Sequence, residues 1–139
     1  MTTFRFVHPI EVRYADLDPQ RHVNNAAVFS YLETTRAHYL EHLGLWNGSD
    51  FDAIGIIIAE TSCRYLAPIA YGQPVEVAMA VTHLGTKSLT QDYLVRDSST
   101  GSELATARAI LVAYDYRQAR SILIPPEWRR VIEAFEGKE

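Results

Sequence analysis

Between residues 4 and 14 the even positions Phe4, Phe6, Ile10, Val12 and Tyr14 are apolar, and the odd positions include Arg5, Glu11 and Arg13. A period of two predicts a half-buried strand. Pro9 has no N–H to give to a ladder, so it belongs at a sheet edge or a bulge. From Val28 the period changes. Val28, Phe29, Leu32, Tyr39, Leu40 and Leu43 recur at three- and four-residue steps, a helical stripe. Asn24 or Asn25 can cap its start, and Gly44 can end it in a left-handed conformation. The predicted helix has about 18–20 residues and spans roughly 30 Å.

Four further strands are predicted, over 55–66, 74–84, 87–97 and 103–114. The second puts Val75, Val77, Met79 and Val81 on one face. The fourth puts Ala105, Ala107, Ala109, Leu111 and Ala113 on one face, small enough for a helix to approach closely. Gly85-Thr86 and residues 98–101 read as turns. Connections this short make the last four strands an antiparallel meander. Pro125-Pro126 opens a short terminal helix over 127–135. The order predicts an α+β fold, with about five antiparallel strands curled around one long helix.

At 139 residues, the chain reads as one domain over 1–139. It has no room for a separate substrate domain. The net charge of −4 lacks the basic surplus of a phosphate-tracking nucleic-acid binder. The longest apolar run, 54–59, is far short of the ~20 residues of a membrane span. The first ten residues, MTTFRFVHPI, carry no signal-peptide pattern. Cys63 is alone, so neither an internal disulfide nor a CxxC metal site can form, and a reducing cytoplasmic home is expected. There is no GxSxG elbow, Walker loop or GxGxxG.

The candidate chemistry lies in 13–25, RYADLDPQRHVNN, between a strand and a helix start. Free N–H groups at a helix N-terminus can polarise a carbonyl and stabilise developing negative charge. A carboxylate just upstream can activate water or attack directly. Those two parts together suit acyl transfer. An Asp- and Asn-rich loop that only caps and turns has the same composition. His38 and His42 stand four apart on the helix, but no third metal ligand is evident and a solvated face is expected. Glu60, Ser62 and Arg64 alternate on one strand face, where an oligomer contact or an exposed surface is expected, with Arg64 paired to a carboxylate. Cys63 is expected to be packed rather than reactive.

YADLDPQRHVNNAAVFSYLETTR resembles the signature of hotdog-fold acyl-CoA thioesterases, which include the 4-hydroxybenzoyl-CoA thioesterase family and the related acyl carrier protein thioesterases. CRYLAPIAYGQPVEV, GTKSLTQDYLV and ILIPPEWRRVI resemble further segments of that fold. The resemblance implies Asp18 as general base or nucleophile and the backbone N–H of Asn25 as oxyanion donor. It implies that Gln20 and His22 orient water or substrate. Gln20 stands where acyl carrier protein thioesterases place asparagine, and Arg21 stands where many relatives carry glycine. Asp16 resembles a supporting residue that shapes the loop or backs Asp18, or it satisfies turn N–H groups only. Asn24 is read as a helix cap first and a substrate contact second. Lys87 and Ser88 match positions that contact the phosphates of coenzyme A in relatives, or they form a solvated turn.

The expectation is hydrolysis of an acyl-CoA thioester, with no cofactor besides the coenzyme A of the substrate. A homodimer or homotetramer is expected, with the site at the dimer interface and no nucleic-acid or membrane partner. A hotdog enoyl-thioester hydratase ranks below this, because its usual motif puts Asp and His five apart after a glycine. Here Asp18 and His22 are four apart and Ala15 precedes Asp16. A non-catalytic acyl-thioester binding module is the third reading. The acyl group, and the choice between coenzyme A and carrier protein, stay open.

Overall fold

The computed structural model describes residues 2–53 and 55–137. Residue 54, which opens the apolar run 54–59, lies outside the described residues. Six strands and two α-helices follow one another as β1 (Phe6–Ile10), α1 (Asn25–His42), β2 (Ile56–Tyr65), β3 (Val75–Leu84), β4 (Ser88–Asp97), β5 (Glu103–Asp115), β6 (Arg120–Ser121) and α2 (Pro126–Glu136). The strands form one antiparallel sheet in the order β1-β3-β4-β5-β2, and the short β6 pairs with β5.

Period-two patterning places the core. On β4, Leu89, Gln91, Tyr93, Val95 and Asp97 are buried and their neighbours half-buried. On β5, Ala105, Ala107, Ala109, Leu111 and Ala113 are buried. The alanines do not bring the helix backbone close, as the sequence suggested. The close backbone approaches of α1 are to β3 and β1. The space beside the alanines is taken by larger neighbours in register, Tyr93 opposite Ala107 and Gln91 opposite Ala109. Outward-facing charges pair across strands, Arg96 with Glu76 at 2.6 Å and Arg108 with Asp92 at 2.7 Å, as opposed positions on one sheet face allow.

The first strand is shorter than predicted. It ends at Ile10, and the chain turns into a single 3-10 turn over Tyr14–Asp16. Val12 remains buried, but Tyr14 is 80% exposed and leaves the apolar face. Pro9 sits on β1, an edge strand that pairs only with β3. The other edge is β2, with a bulge between Ile58 and Glu60. Helix α1 spans 18 residues. Asn24 is its cap: Oδ1 accepts the Ala26 N–H at 2.8 Å. Gly44 follows in the left-handed region, at φ 73°. The face that α1 buries differs from the apolar stripe. Tyr31, Thr35 and Arg36 are buried with Val28, Leu32, Tyr39 and Leu40, and Phe29 is partly exposed. No helix among the described residues is long and apolar enough to cross a membrane.

Candidate functional site

The stretch 13–25 is held by its own polar groups. Asp16, 4% exposed, anchors it. Its Oδ1 accepts from Arg13 Nε at 3.2 Å and Nη2 at 2.9 Å, and its Oδ2 accepts from the Arg13 backbone N–H at 2.9 Å. Tyr31 of α1 donates its hydroxyl to the same Oδ2 at 2.7 Å, and the Asp16 carbonyl accepts the Asn24 N–H at 2.8 Å. Burial pushes the Asp16 carboxyl up, but the hydrogen bonds from Arg13 and Tyr31 outweigh it and hold the group below its ordinary range. Burial, then the Asp16 carboxylate, push the Tyr31 hydroxyl up. Asp16 therefore supports the loop and does not face the cavity described next.

Beyond Asp16 the chain doubles back. Asp18 N–H donates to the His22 carbonyl at 2.9 Å, and Arg21 N–H donates to the Asp18 carbonyl at 2.9 Å. The reversal puts Arg21 at φ 65°, a left-handed conformation. Val23 N–H then donates to the Ile69 carbonyl at 2.9 Å, pinning the loop to the segment between β2 and β3. Asp18 Oδ1 accepts the Gln20 N–H at 2.9 Å and the His22 N–H at 3.4 Å. The Gln20 side-chain amide satisfies its neighbours with its nitrogen towards Asp18, 3.2 and 3.3 Å from the two carboxylate oxygens. Gln20 thus reaches the carboxylate at the position where the resembled enzymes carry asparagine.

Asp18, Gln20, His22 and Asn25 line one cavity of about 400 Å3 with Val28 and Tyr65. At the helix start, the Ala26 N–H is capped by the Asn24 side chain, and the Ala27 and Val28 N–H groups donate to the Asn24 carbonyl. The Asn25 N–H has no acceptor among the described residues. Its position at the positive end of α1 suits it to a carbonyl oxygen or an oxyanion. Tyr65, at the end of β2, donates its hydroxyl to the Asn25 carbonyl at 3.3 Å. Sequence reasoning missed Tyr65. A strand-end tyrosine forty residues from Asn25 gives no spacing signal.

The other expected residues lie elsewhere. Asn24 is a cap, as read first. Lys87 and Ser88 are at the opposite end of the sheet from Asp18. Ser88 is in register with Val112, whereas Tyr65 is in register with Ala105. Seven residues of strand separate those two register positions, roughly 23 Å. The Lys87 ammonium reaches Ser121 Oγ at 3.4 Å. Glu60, Ser62 and Arg64 are exposed. Arg64 pairs with no carboxylate among the described residues, and Asp92 of the outer face is taken by Arg108. His38 stacks on His8 with ring centroids 4.0 Å apart, and His42 meets Phe6 and Phe135. Cys63 is half-buried, and burial pushes its thiol up.

An antiparallel sheet wrapped on one long helix is the hotdog arrangement. Residues 12–132 match the family model described as the thioesterase-like superfamily. The chain belongs to that superfamily, and its class of activity is thioester hydrolysis. A Thermus thermophilus thioesterase solved in complex with coenzyme A and Zn superposes with a TM-score of 0.86 and 31% identity, covering 100% of both chains. The long-chain acyl-CoA thioesterase FadM of Escherichia coli is 23% identical over 89% of this chain and 94% of its own. The uncharacterized protein YsmA of Bacillus subtilis is 24% identical over 87% of this chain and 80% of its own.

Proposed function

We propose that this protein hydrolyses acyl-CoA thioesters in the cytoplasm, at a site built on Asp18 and the start of α1. The observation that carries the reading is that Asn25, whose N–H has no acceptor among the described residues, lines the same cavity as Asp18. The thioester carbonyl would sit against that N–H, which then stabilises the oxyanion as the carbonyl carbon becomes tetrahedral. Asp18 Oδ1 is committed to the backbone of Gln20 and His22. Oδ2 is the oxygen that takes a proton from water or attacks the carbonyl carbon itself. Collapse of the tetrahedral species breaks the C–S bond, and the thiolate takes up the proton lost by water and leaves as thiol; the general-base route releases the acid directly, whereas attack by Oδ2 leaves an acyl–Asp18 anhydride that a water then hydrolyses to the acid and free Asp18. Gln20 orients the Asp18 carboxylate, and His22 borders the substrate. The chemistry calls for no cofactor beyond the coenzyme A of the substrate.

A second copy of the chain completes the site in this proposal. The two sheet edges differ: β1 carries Pro9, whereas β2 leaves Ile57, Ile58 and Tyr65 between 42% and 44% exposed. An open apolar edge is a template for pairing with another strand. Two-fold antiparallel pairing of β2 with its copy sets the Tyr65 end of one chain beside the Ile56 end of the other. That is the end of the sheet where Lys87 and Ser88 lie. The phosphates of a substrate held by one Asp18 would then approach the second copy's lysine.

Thiol release from a panel of aliphatic and aromatic acyl-CoAs, with Asp18→Asn alongside, tests the reading. Hydrolysis that falls on the order of 10²-fold or more in the variant supports it. No release from any member of the panel ends it, and unchanged release in Asp18→Asn removes Asp18 from the mechanism. Oxygen-18 water in a single turnover separates water activation from attack by Asp18. A hydratase would instead consume the double bond of an enoyl-CoA without releasing thiol.

A further inference from the structure

β2 and β3 are not neighbours in the sheet, so the segment between them, 66–74, crosses the sheet end past β5 and β4. It forms no strand of its own. Its start is tied to β5, where the Leu104 carbonyl accepts the Leu66 and Ala67 N–H groups at 2.9 and 3.2 Å. Its end closes a tight turn, in which Gln73 N–H donates to the Ala70 carbonyl at 3.2 Å and Gly72 stands at φ 84°. The Pro74 carbonyl then accepts the Ser98 N–H at 2.9 Å. Between these fastenings lie Ile69 and Ala70, on which the catalytic loop rests. The Ile69 carbonyl accepts the Val23 N–H, and Ala70 pairs with His22.

The Gln73 side chain links that turn to β4. Its Oε1 accepts the Ala70 N–H at 3.0 Å, and its Nε2 donates to Asp97 Oδ2 at 2.9 Å. Only this orientation satisfies both neighbours, an N–H on one side and a carboxylate on the other. Asp97 is 7% exposed. Its Oδ1 accepts the Ser99 hydroxyl at 2.6 Å, the Ser99 N–H at 2.8 Å and the Thr100 N–H at 3.1 Å. Hydrogen bonds from the Ser99 hydroxyl, the Gln73 amide and the Ser99 N–H hold the Asp97 carboxyl well below the ordinary aspartate range. One oxygen therefore fixes Asp97 in its own turn, and the other holds Gln73. These bonds all lie within one chain, and β5 stands between β4 and the open β2 edge.

We propose that Asp97, acting through Gln73, is a positioning residue that holds the loop carrying Asp18 in place against the start of α1. The proposal rests on the thioesterase reading for the role of Asp18. The path is continuous. Gln73 fixes the Ala70 peptide, Ala70 pairs with His22, and the His22 carbonyl accepts the Asp18 N–H at 2.9 Å. The loop is thus fastened from two sides by buried aspartates. Asp16 ties it to α1 through Tyr31, and Asp97 ties it to the sheet. Neither touches the substrate cavity. A reacting carboxylate displaced by about 1 Å can lose on the order of 10²-fold in rate, so a fastening at this distance from the chemistry still reaches it.

The test exchanges the two groups. Gln73→Glu sets two carboxylates against each other. Asp97→Asn leaves a single oxygen to serve both the 97–100 turn and Gln73. Each single variant is expected to lower kcat for acyl-CoA hydrolysis by roughly 10-fold or more, with KM changed by less than about 2-fold. The double variant restores both bonds, because the new asparagine donates its amide to the new glutamate, whose second oxygen still accepts the Ala70 N–H. Its kcat should return to within about 3-fold of wild type, a coupling that independent sites do not show. Gln73→Leu keeps the volume without adding a charge, so it folds where a charged variant fails, and it should lose kcat in the same way. Amide hydrogen exchange reads the loop without substrate. The Val23 N–H should exchange roughly 10-fold faster in Gln73→Leu, while Leu111 in the core of β5 keeps its rate. Unchanged kcat in Gln73→Leu, or a double variant as slow as its slower parent, would overturn the proposal. If the wild type releases no thiol from any acyl-CoA, the thioesterase reading fails, and exchange at Val23 alone decides the positioning: faster exchange upholds it and unchanged exchange ends it.

Discussion

Tyr31 Oη donates to Asp16 Oδ2 at 2.7 Å, which ties the second turn of α1 to the loop that carries Asp18. Asp16→Asn loses the charge that holds Arg13 and weakens the bond from Tyr31. The expected loss is about 1.5–3 kcal/mol of stability at neutral pH, the range for hydrogen bonds to a charged group. The folded carboxyl lies below the ordinary aspartate value of 3.8, so its contribution is present above that pH and disappears as pH falls through the folded value. Denaturant melts at pH 7 and pH 3 check the sign: the gap between wild type and Asp16→Asn should narrow in acid. Tyr31→Phe should cost about 1 kcal/mol.

Tyr65 fixes the first residue of α1 from the edge strand, through its 3.3 Å bond to the Asn25 carbonyl. Removing that hydroxyl frees the peptide whose neighbouring N–H is assigned to the oxyanion. Tyr65→Phe should slow kcat by roughly 2- to 10-fold, the equivalent of about 0.5–1.5 kcal/mol. Because Tyr65 is 43% exposed, its stability should change little. A measured split between kcat and the melting temperature separates a positioning role from a packing one.

The strands were legible because period-two patterning is a local signal. Leu89, Tyr93 and Val95 read as inward from their neighbours alone and are buried. The helix ends were legible for the same reason, since Asn24 and Gly44 act through adjacent backbone groups. What escaped depends on distant partners. Arg36 reads as polar, and its burial follows from Gln91 and Tyr93, more than fifty residues away. Tyr14 matched the strand period but lies past the point where Asp16 draws the chain into a turn. Asp18, Gln20, His22 and Asn25 came together because one short loop holds all four. Lys87 and Ser88 did not join them, because the topology of β3 and β4 sends that turn to the other end.

The open β2 edge makes oligomeric state the next test. Ile57→Lys puts a charge on the apolar edge, 42% exposed in one chain, and charged edge residues oppose strand pairing. Light scattering after gel filtration should show wild type as a dimer or larger and the variant shifted towards monomer. Thiol release per chain should fall with dissociation if each site needs both copies. A wild-type monomer with full activity would overturn the shared site.

Arg21 stands at φ 65° where the chain reverses between Asp18 and His22. An L-residue with a side chain costs roughly 1–2 kcal/mol there, a cost glycine does not have. Glycine at the same place loses more backbone entropy on folding, roughly 0.5–1 kcal/mol. The larger cost is the strain, so Arg21→Gly should be neutral or stabilising by up to about 1 kcal/mol, whereas Arg21→Val, β-branched at a positive φ, should be clearly destabilising. Arg21 is exposed and makes no side-chain hydrogen bond among the described residues, so no contact is lost with it. Denaturant melts of the two variants check the order. If Arg21→Gly keeps the fold but changes KM for acyl-CoA, the arginine is retained against its strain because its charge meets the substrate at the mouth of the site. If KM is unchanged, the strain has no functional return and the turn alone accounts for the conformation.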